Sequence, residues 1–438
     1  MHVARIPVDT ANLAIGMYVA MLDRPWLETP FVFQGFMIKD KLEIDQLQSC
    51  CNQVFVDVDK GQLTEAQIRA LANGDRTAGP AAPRVTGNEP KRPGFFGRLA
   101  LRIGLGALLG GRHTRPCEGY AITATVRREA PEARKAWERA VFEYRHVYEK
   151  TRRMGAVDIN AVHQALKPLI DSILRNPDAM AWTVFSGKRS NRNYCRAAAA
   201  AVWATVFGRH LGFDRNELLN LATGGFLLDI GNVALDQDML DAEGAITLEE
   251  YEMVPRHVQA GVDIMTRSTG VDPAVIEMVR FHHERFDGSG YPHGTNGSGI
   301  PPHGRIAAIV DCYDAMTTRN GYSPALAAYD AARELNEMRN EQFHGEVVEQ
   351  FLQAIGMFPT GSVIELSDGS VGLVLEQNRG NPLQPKVLIL REKDSDMLPG
   401  PRIINPDDWP SGDDSAPLWI ARGHEHGAFG IDPMDYFR

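Results

Sequence analysis

Along the first part of the chain, apolar residues come in short runs broken by polar ones. GMYVAML, FVFQGFMI and QVFVDVD read as strands, and DKLEIDQLQSCC, between two of them, reads as a helix. Residues 1–75 are therefore expected to form a small α+β domain. Residues 76–127 are rich in Gly, Pro, Ala and Arg and show no such pattern, so they read as a linker. From 128 to 358 the period lengthens. EARKAWERAVFEYRHVYEKTRRM, INAVHQALKPLIDSILRN, CRAAAAAVWATVFGRHLG and RNELLNLATGGFLLDIG show helical spacing of their apolar positions. In TLEEYEMVPRHVQAGVDIM, Thr247 and Glu250 read as a capping box that opens a further helix.

Short alternating runs return after Pro359. GSVIELSDGSVGLVLEQN and KVLILREKD read as strands, with Asp368-Gly369 as a hairpin turn. They predict a small β subdomain over 359–395. The Pro- and Asp-rich stretch 396–438 reads as an irregular tail. The fold class is thus multidomain α+β: a small N-terminal α+β domain, a central all-α domain and a short C-terminal β hairpin region. A chain of 438 residues has room for these parts.

Composition narrows the function classes. A 44% hydrophobic and 23% charged content is ordinary for a globular protein. The net charge of −10 argues against DNA as a partner, because a general nucleic-acid binder needs a basic face. The five cysteines have no CxxC spacing, which excludes a cysteine zinc site and a disulfide framework and suits a cytoplasmic protein. The N-terminus lacks an apolar signal core. GFFGRLALRIGLGALLGG, residues 94–111, is too short and too broken by Arg98 and Arg102 to span a membrane. It reads as a linker able to touch a membrane interface peripherally.

The chemistry gathers in the helical part. HHERFDGSGYP, residues 282–292, joins two imidazoles to a glycine-rich acidic turn. Asp229 in FLLDIGN, His257 in PRHVQAG and Asp311 in RIAAIVDCYDAM add to it. Imidazoles with carboxylates are the donor set for zinc or a borderline transition metal. Adjacent helical side chains diverge by about 100°. His282 and His283 therefore reach one ion only if the helix ends there, and the following DGSG supplies such an exit. Taken alone, His257 is more simply a satisfied polar residue. Asp311 in an apolar run is harder to dismiss, since a buried carboxylate needs a partner.

HHERFDGSGYP, with LLDIGN upstream and DCYDAM downstream, resembles the HD-GYP family over roughly residues 185–358. The N-terminal region is similar to a small uncharacterised domain found ahead of such domains in bacteria. The resemblance implies an all-helical, metal-dependent phosphodiesterase of cyclic di-GMP or a related cyclic dinucleotide. Its metal ligands would be Asp229, as the bridging carboxylate, His257, His282, His283 and Asp311. Arg319 and Tyr322 fall where substrate phosphate is contacted. Asp287, Gly288, Gly290, Tyr291 and Pro292 form the loop implicated in docking to diguanylate cyclase (GGDEF) domains.

The sequence departs from that pattern at several places. The family's His-Asp-Ile-Gly-Lys reads Leu228-Asp229-Ile230-Gly231-Asn232 here. Leucine cannot coordinate, and Asn232 replaces a lysine that would face phosphate. An earlier family histidine falls on Arg196, and a one-residue slip would place Cys195 there. GRHLG at 208–212 supports Arg196. A guanidinium offers no lone pair. At ~4 Å it would repel a divalent ion by about 8 kcal/mol at an effective dielectric near 20.

The expectation is at most one divalent ion (Fe, Mn or Zn), or none, with Arg196 then neutralising Asp229 and Asp311. Two functions follow from the resemblance. One is a regulatory or docking module in cyclic di-GMP signalling with weak or no phosphodiesterase activity. The other is an active phosphodiesterase that yields linear dinucleotide and GMP from a reduced metal centre. The long helix near 130–153 is either a homodimer contact or a connector packed on its own domain.

Overall fold

The computed structural model describes residues 5–23, 36–38, 41–58, 61–72, 120–186, 192–236, 253–318, 325–378, 383–393, 397–409, 418–425 and 427–436. The chain divides into two compact units, Met1–Gly94 and Phe95–Arg438. Most of the 76–127 segment, the 94–111 stretch, Thr247, Glu250, Arg319 and Tyr322 lie outside the described residues. So does most of FVFQGFMI.

In the first unit, strands β1 (Arg5–Asp9), β2 (Tyr18–Leu22), β3 (Phe36–Met37) and β4 (Gln53–Asp57) form an antiparallel sheet in the order β1-β4-β2-β3. Helix α1 (Lys41–Cys50) precedes β4, and α2 (Glu65–Ala72) follows it. Alternation along β1 turns Ile6 and Val8 inward, and β4 answers with Val54 and Val56. Ile38, Leu47 and Ile68 complete this core. Thr64 and Gln67 cap α2 reciprocally, with Thr64 N–H donating to Gln67 Oε1 at 3.0 Å.

The second unit begins its helices with α3 (Val126–Met154), two residues ahead of the expected boundary. Thr125 caps its first turn, and Gly155 closes it in the left-handed conformation. Then come α4 (Ile159–Arg175), α5 (Pro177–Ser186), α6 (Arg192–Leu211) and α7 (Arg215–Leu227). A 3-10 turn (Ile230–Ala234) follows, and then α8 (Arg256–Arg267), α9 (Pro273–Phe281), α10 (Pro302–Thr317), α11 (Ala328–Glu337) and α12 (Gly345–Ile355). No helix among the described residues is long and apolar enough to cross a membrane.

Two glycines set the spacing that matters. A Cβ on Gly225 of α7 would lie 2.6 Å from the Ala200 carbonyl oxygen, so the alanine run of α6 packs almost backbone to backbone on α7. A Cβ on Gly231 would overlap the His257 carbonyl oxygen, so the 3-10 turn rests directly on α8. The first contact brings Arg196 toward the end of α7. The second brings Asp229 toward His257.

The chain closes in a five-stranded antiparallel sheet, ordered β8-β7-β6-β5-β9. Its strands are β5 (Val363–Leu366), β6 (Val371–Glu376), β7 (Lys386–Arg391), β8 (Met397–Ile404) and β9 (Ile420–His424). Asp368 accepts from both Ser370 N–H (2.9 Å) and Ser370 Oγ (2.6 Å) in the β5–β6 turn. The tail expected to be irregular instead supplies β8 and β9. Both are edge strands, and β8 is interrupted by a register shift against β7. Its MLPGPRII sequence hides the strand, because Pro and Gly are tolerated where one side needs no ladder bond.

The approach at Gly231 generates a prediction. Gly231→Ala should lower the stability of the chain by about 3 kcal/mol, the upper part of the range for overpacking. Urea unfolding should show a lower midpoint at unchanged slope. An unshifted midpoint would contradict the close packing of the turn on α8.

Candidate metal centre

α7 is opened by an Asp214–Glu217 capping box and ends at Leu227, so the backbone turns there and exposes Asp229 at the entrance to the 3-10 turn. His257 is the second residue of α8. His282 caps the C-terminus of α9, and His283 follows in the turn. The adjacent histidines therefore stand where the helix stops. One donor atom from each of Asp229, His257, His282 and His283 lies within 4.8 Å of the others. His257 and His282 are buried, while Asp229 and His283 are partly exposed.

The hydrogen bonds behind the rings assign their tautomers. His257 Nδ1 faces the Val254 carbonyl at 2.6 Å, and His282 Nδ1 faces the Val279 carbonyl at 2.9 Å. A carbonyl only accepts, so each Nδ1 carries the proton and each Nε2 keeps its lone pair. The two Nε2 atoms are 3.2 Å apart. Asp229 Oδ1 lies 3.5 Å from His257 Nε2 and 3.9 Å from His282 Nε2. Converging lone pairs beside a carboxylate repel one another unless a proton or a cation lies among them. The four residues thus fit a divalent ion by their donor chemistry and by their outer hydrogen bonds.

The electrostatics agree. Burial lowers the pKa of His282 below the ordinary 6.5, and neighbouring His257 adds to this. Burial, then His282 and His257, holds His283 well below the same value. Both rings are neutral at pH 7, the form in which imidazole binds metal. Burial opposes ionisation of Asp229, but the Arg196 guanidinium acts against it, and the carboxyl titrates below the ordinary 3.8.

Beside this cluster lies an ionic group of another kind. Arg196, on the first turns of α6, donates from Nη2 to Asp311 Oδ1 at 2.9 Å, and its Nε lies 3.5 Å from Asp314 Oδ2. The side chain of Arg196 is 32% exposed, whereas those of Asp311 and Asp314 are 8% and 2% exposed. Burial opposes the charge on Arg196, yet Asp311, Asp229 and Asp314 together raise its pKa above the ordinary value. Asp311 is not in the four-donor group. Its Oδ2 faces His283 Nδ1 at 3.5 Å, and its other oxygen is held by the guanidinium. Leu228 is buried in the apolar core, and Asn232 is half-buried in the 3-10 turn.

The loop after His283 is organised by Glu284, which is fully buried. Its carboxylate accepts from His293 N–H and Thr295 N–H, each at 2.9 Å, so it faces the loop amides. Asp287 accepts from Ser289 N–H (2.9 Å) and Oγ (2.7 Å). Tyr291 N–H donates to the His283 carbonyl at 3.1 Å, and the two rings lie 4.5 Å apart. The Tyr291–Pro292 bond is cis. Asp287 is exposed, and Gly288, Gly290, Tyr291 and Pro292 are partly so.

Sequence reasoning missed Asp314 and the structural role of Glu284. Asp314 had a legible signal: it lies three residues after Asp311 in DCYDAM and so shares its helical face. Nothing in the sequence separates a loop-holding glutamate from a ligand in His-His-Glu.

Comparison with known proteins places the chain. Residues 183–347 match the model of the HD domain, and residues 5–162 match a domain of unknown function, DUF3391. A cyclic di-GMP phosphodiesterase of Pseudomonas aeruginosa is 29% identical over 392 residues, covering 88% of this chain and 84% of that protein. A cyclic di-GMP phosphodiesterase of Thermotoga maritima is 37% identical over 128 residues, 29% of this chain and 35% of that one. A 3'3'-cGAMP-specific phosphodiesterase of Vibrio cholerae is 29% identical over 166 residues, 38% of this chain and 32% of that one.

The lowered pKa values of His282 and His283 predict a pH dependence for the metal-free protein. The unfolded chain takes up these protons near 6.5, whereas the folded chain does so only at lower pH. Stability is then complete above about 6.5 and falls as the pH drops toward the folded values. Urea midpoints measured between pH 7.5 and 5 should decline, and His283→Asn should flatten the decline. A midpoint independent of pH in that window would refute the neutral-imidazole assignment.

Proposed function

We infer, from the premise that this chain is an HD-GYP protein with an altered His-Asp motif, that it serves cyclic di-GMP signalling as a regulatory and docking module with weak or no phosphodiesterase activity. One observation carries the reading. The donors of Asp229, His257, His282 and His283 gather around one point, while the neighbouring carboxylates of Asp311 and Asp314 face the Arg196 guanidinium.

Asp229, His257, His282 and His283 would hold a single divalent ion, Fe, Mn or Zn. When bound, it would supply one cationic centre toward phosphate. Phosphodiester hydrolysis by paired ions spreads the developing charge over two centres. Here the second cation is a guanidinium already committed to carboxylates. Leu228 gives no donor, and Asn232 carries no charge toward phosphate. These residues leave binding of a cyclic dinucleotide intact more readily than its hydrolysis.

The loop Asp287–Pro292 supports the docking role. Its form is set by Glu284, Asp287 and the Tyr291 amide, and its outer face remains exposed. A diguanylate cyclase domain is the proposed partner for this face. The second reading, an active phosphodiesterase, draws on the neutral imidazoles that converge beside ionised Asp229.

The test is direct. Manganese- or iron-loaded protein incubated with cyclic di-GMP should release no linear dinucleotide or GMP above a metal-free blank. Clear turnover that disappears in His283→Ala would overturn the regulatory reading. The Arg196→His/Leu228→His double variant should raise bound metal above one ion per chain by elemental analysis. Equal metal content in the parent and the double variant would sink the single-ion interpretation.

A further inference from the structure

We propose that Asp311 is not a ligand of the ion but the acceptor that fixes His283, and that Arg196 pins it in this role. The inference rests on the single-ion reading above and explains it. Two imidazoles of the cluster have a hydrogen-bonded outer acceptor at Nδ1, and the third faces a carboxylate there at ion-pair distance. His257 has the Val254 carbonyl at 2.6 Å, His282 has the Val279 carbonyl at 2.9 Å, and His283 has Asp311 Oδ2 at 3.5 Å. Such outer acceptors hold the Nδ1–H tautomer and orient the ring. All three rings then present Nε2 to the ion.

Asp311 is placed for this by its second oxygen. Arg196 Nη2 donates to Oδ1 at 2.9 Å, a charge-assisted bond. Asp314, one turn along the same face of α10, steadies the guanidinium at Nε. Asp311 is also outside the set of donors that share the 4.8 Å neighbourhood. A carboxylate committed to a guanidinium donates less well to a second cation, and the guanidinium charge repels that cation.

The donor set is then three Nε2 atoms and one Asp229 oxygen. Four protein donors would complete a zinc-like tetrahedral ion, the mark of a closed site, whereas a catalytic zinc keeps a position open. Asp311 and Arg196 are positioning residues in this scheme. Their pairing converts a position that could ligate into one that orients, and the same act closes the centre.

Cobalt(II) titration of the metal-free protein tests the scheme, because four-coordinate cobalt absorbs far more intensely in the visible than six-coordinate cobalt. The wild-type chain should take up one Co²⁺ with the intense bands. Asp311→Ala should keep one ion and the same bands while its affinity, measured against a chelator, falls 10–100-fold, the usual cost of an outer partner. Asp311→Asn, which retains an acceptor oxygen, should fall between the two, and it serves if the alanine variant does not fold. Weak six-coordinate bands in the wild type, two bound ions, or collapse of the intense bands in Asp311→Asn would overturn the proposal. Turnover is scored separately. Weak bands without turnover sink this inference and leave the regulatory reading standing. Intense bands with turnover support the inference and sink that reading.

Discussion

Three carboxylates of the helical unit, Asp229, Asp311 and Asp314, crowd around Arg196, and the centre depends on how their charge is met. An unpartnered buried carboxylate costs several kcal/mol, and breaking a buried ion pair leaves that cost exposed. Arg196 meets Asp311 directly and lies within electrostatic reach of the other two. Its position is not independent of the core. The register that sets Arg196 among the carboxylates also sets the alanines behind it against α7, where Gly225 permits the approach. Packing and charge thus constrain the same helix in the same register.

The opposite wall of the centre is built by chain reversals. α7 and α9 both stop at the cluster, and α8 starts there. Helix ends leave backbone carbonyls short of partners. At His282 such a carbonyl, that of Val279, orients the imidazole, while His257 is oriented by the Val254 carbonyl just ahead of α8. The neutral form of His282 follows from the burial that seals the end of α9.

Much of this was legible in the sequence, and the remainder was hidden for definable reasons. The helical periods and the strands β2 to β7 came from local patterning, which the buried faces enforce. The strands β1, β8 and β9 escaped because edge position lets Pro and Gly sit in a strand. Asp229, His282 and His283 were visible as donor types where helices end, and His257 as a polar residue within a helix; their convergence needed the packing of three elements. Asp311 was visible as a costly buried acid, and Arg196, standing where the resemblance puts a ligand, was already offered as the cation that neutralises it; Asp314 as a further partner was not. The Arg196–Asp311 pairing joins residues 115 positions apart, and only the α6–α10 contact creates it. Glu284 had no signature at all, because its role is defined by amides that the loop folds back toward it.

Glu284 has a consequence for how such a chain can change over generations. Its carboxylate binds amides of the loop, and none of those bonds passes through the residues at positions 196 and 228. Replacements on α6 and at the end of α7 therefore alter what the centre can hold without loosening the loop's fastening. Chemistry and surface are separable traits of one contiguous stretch.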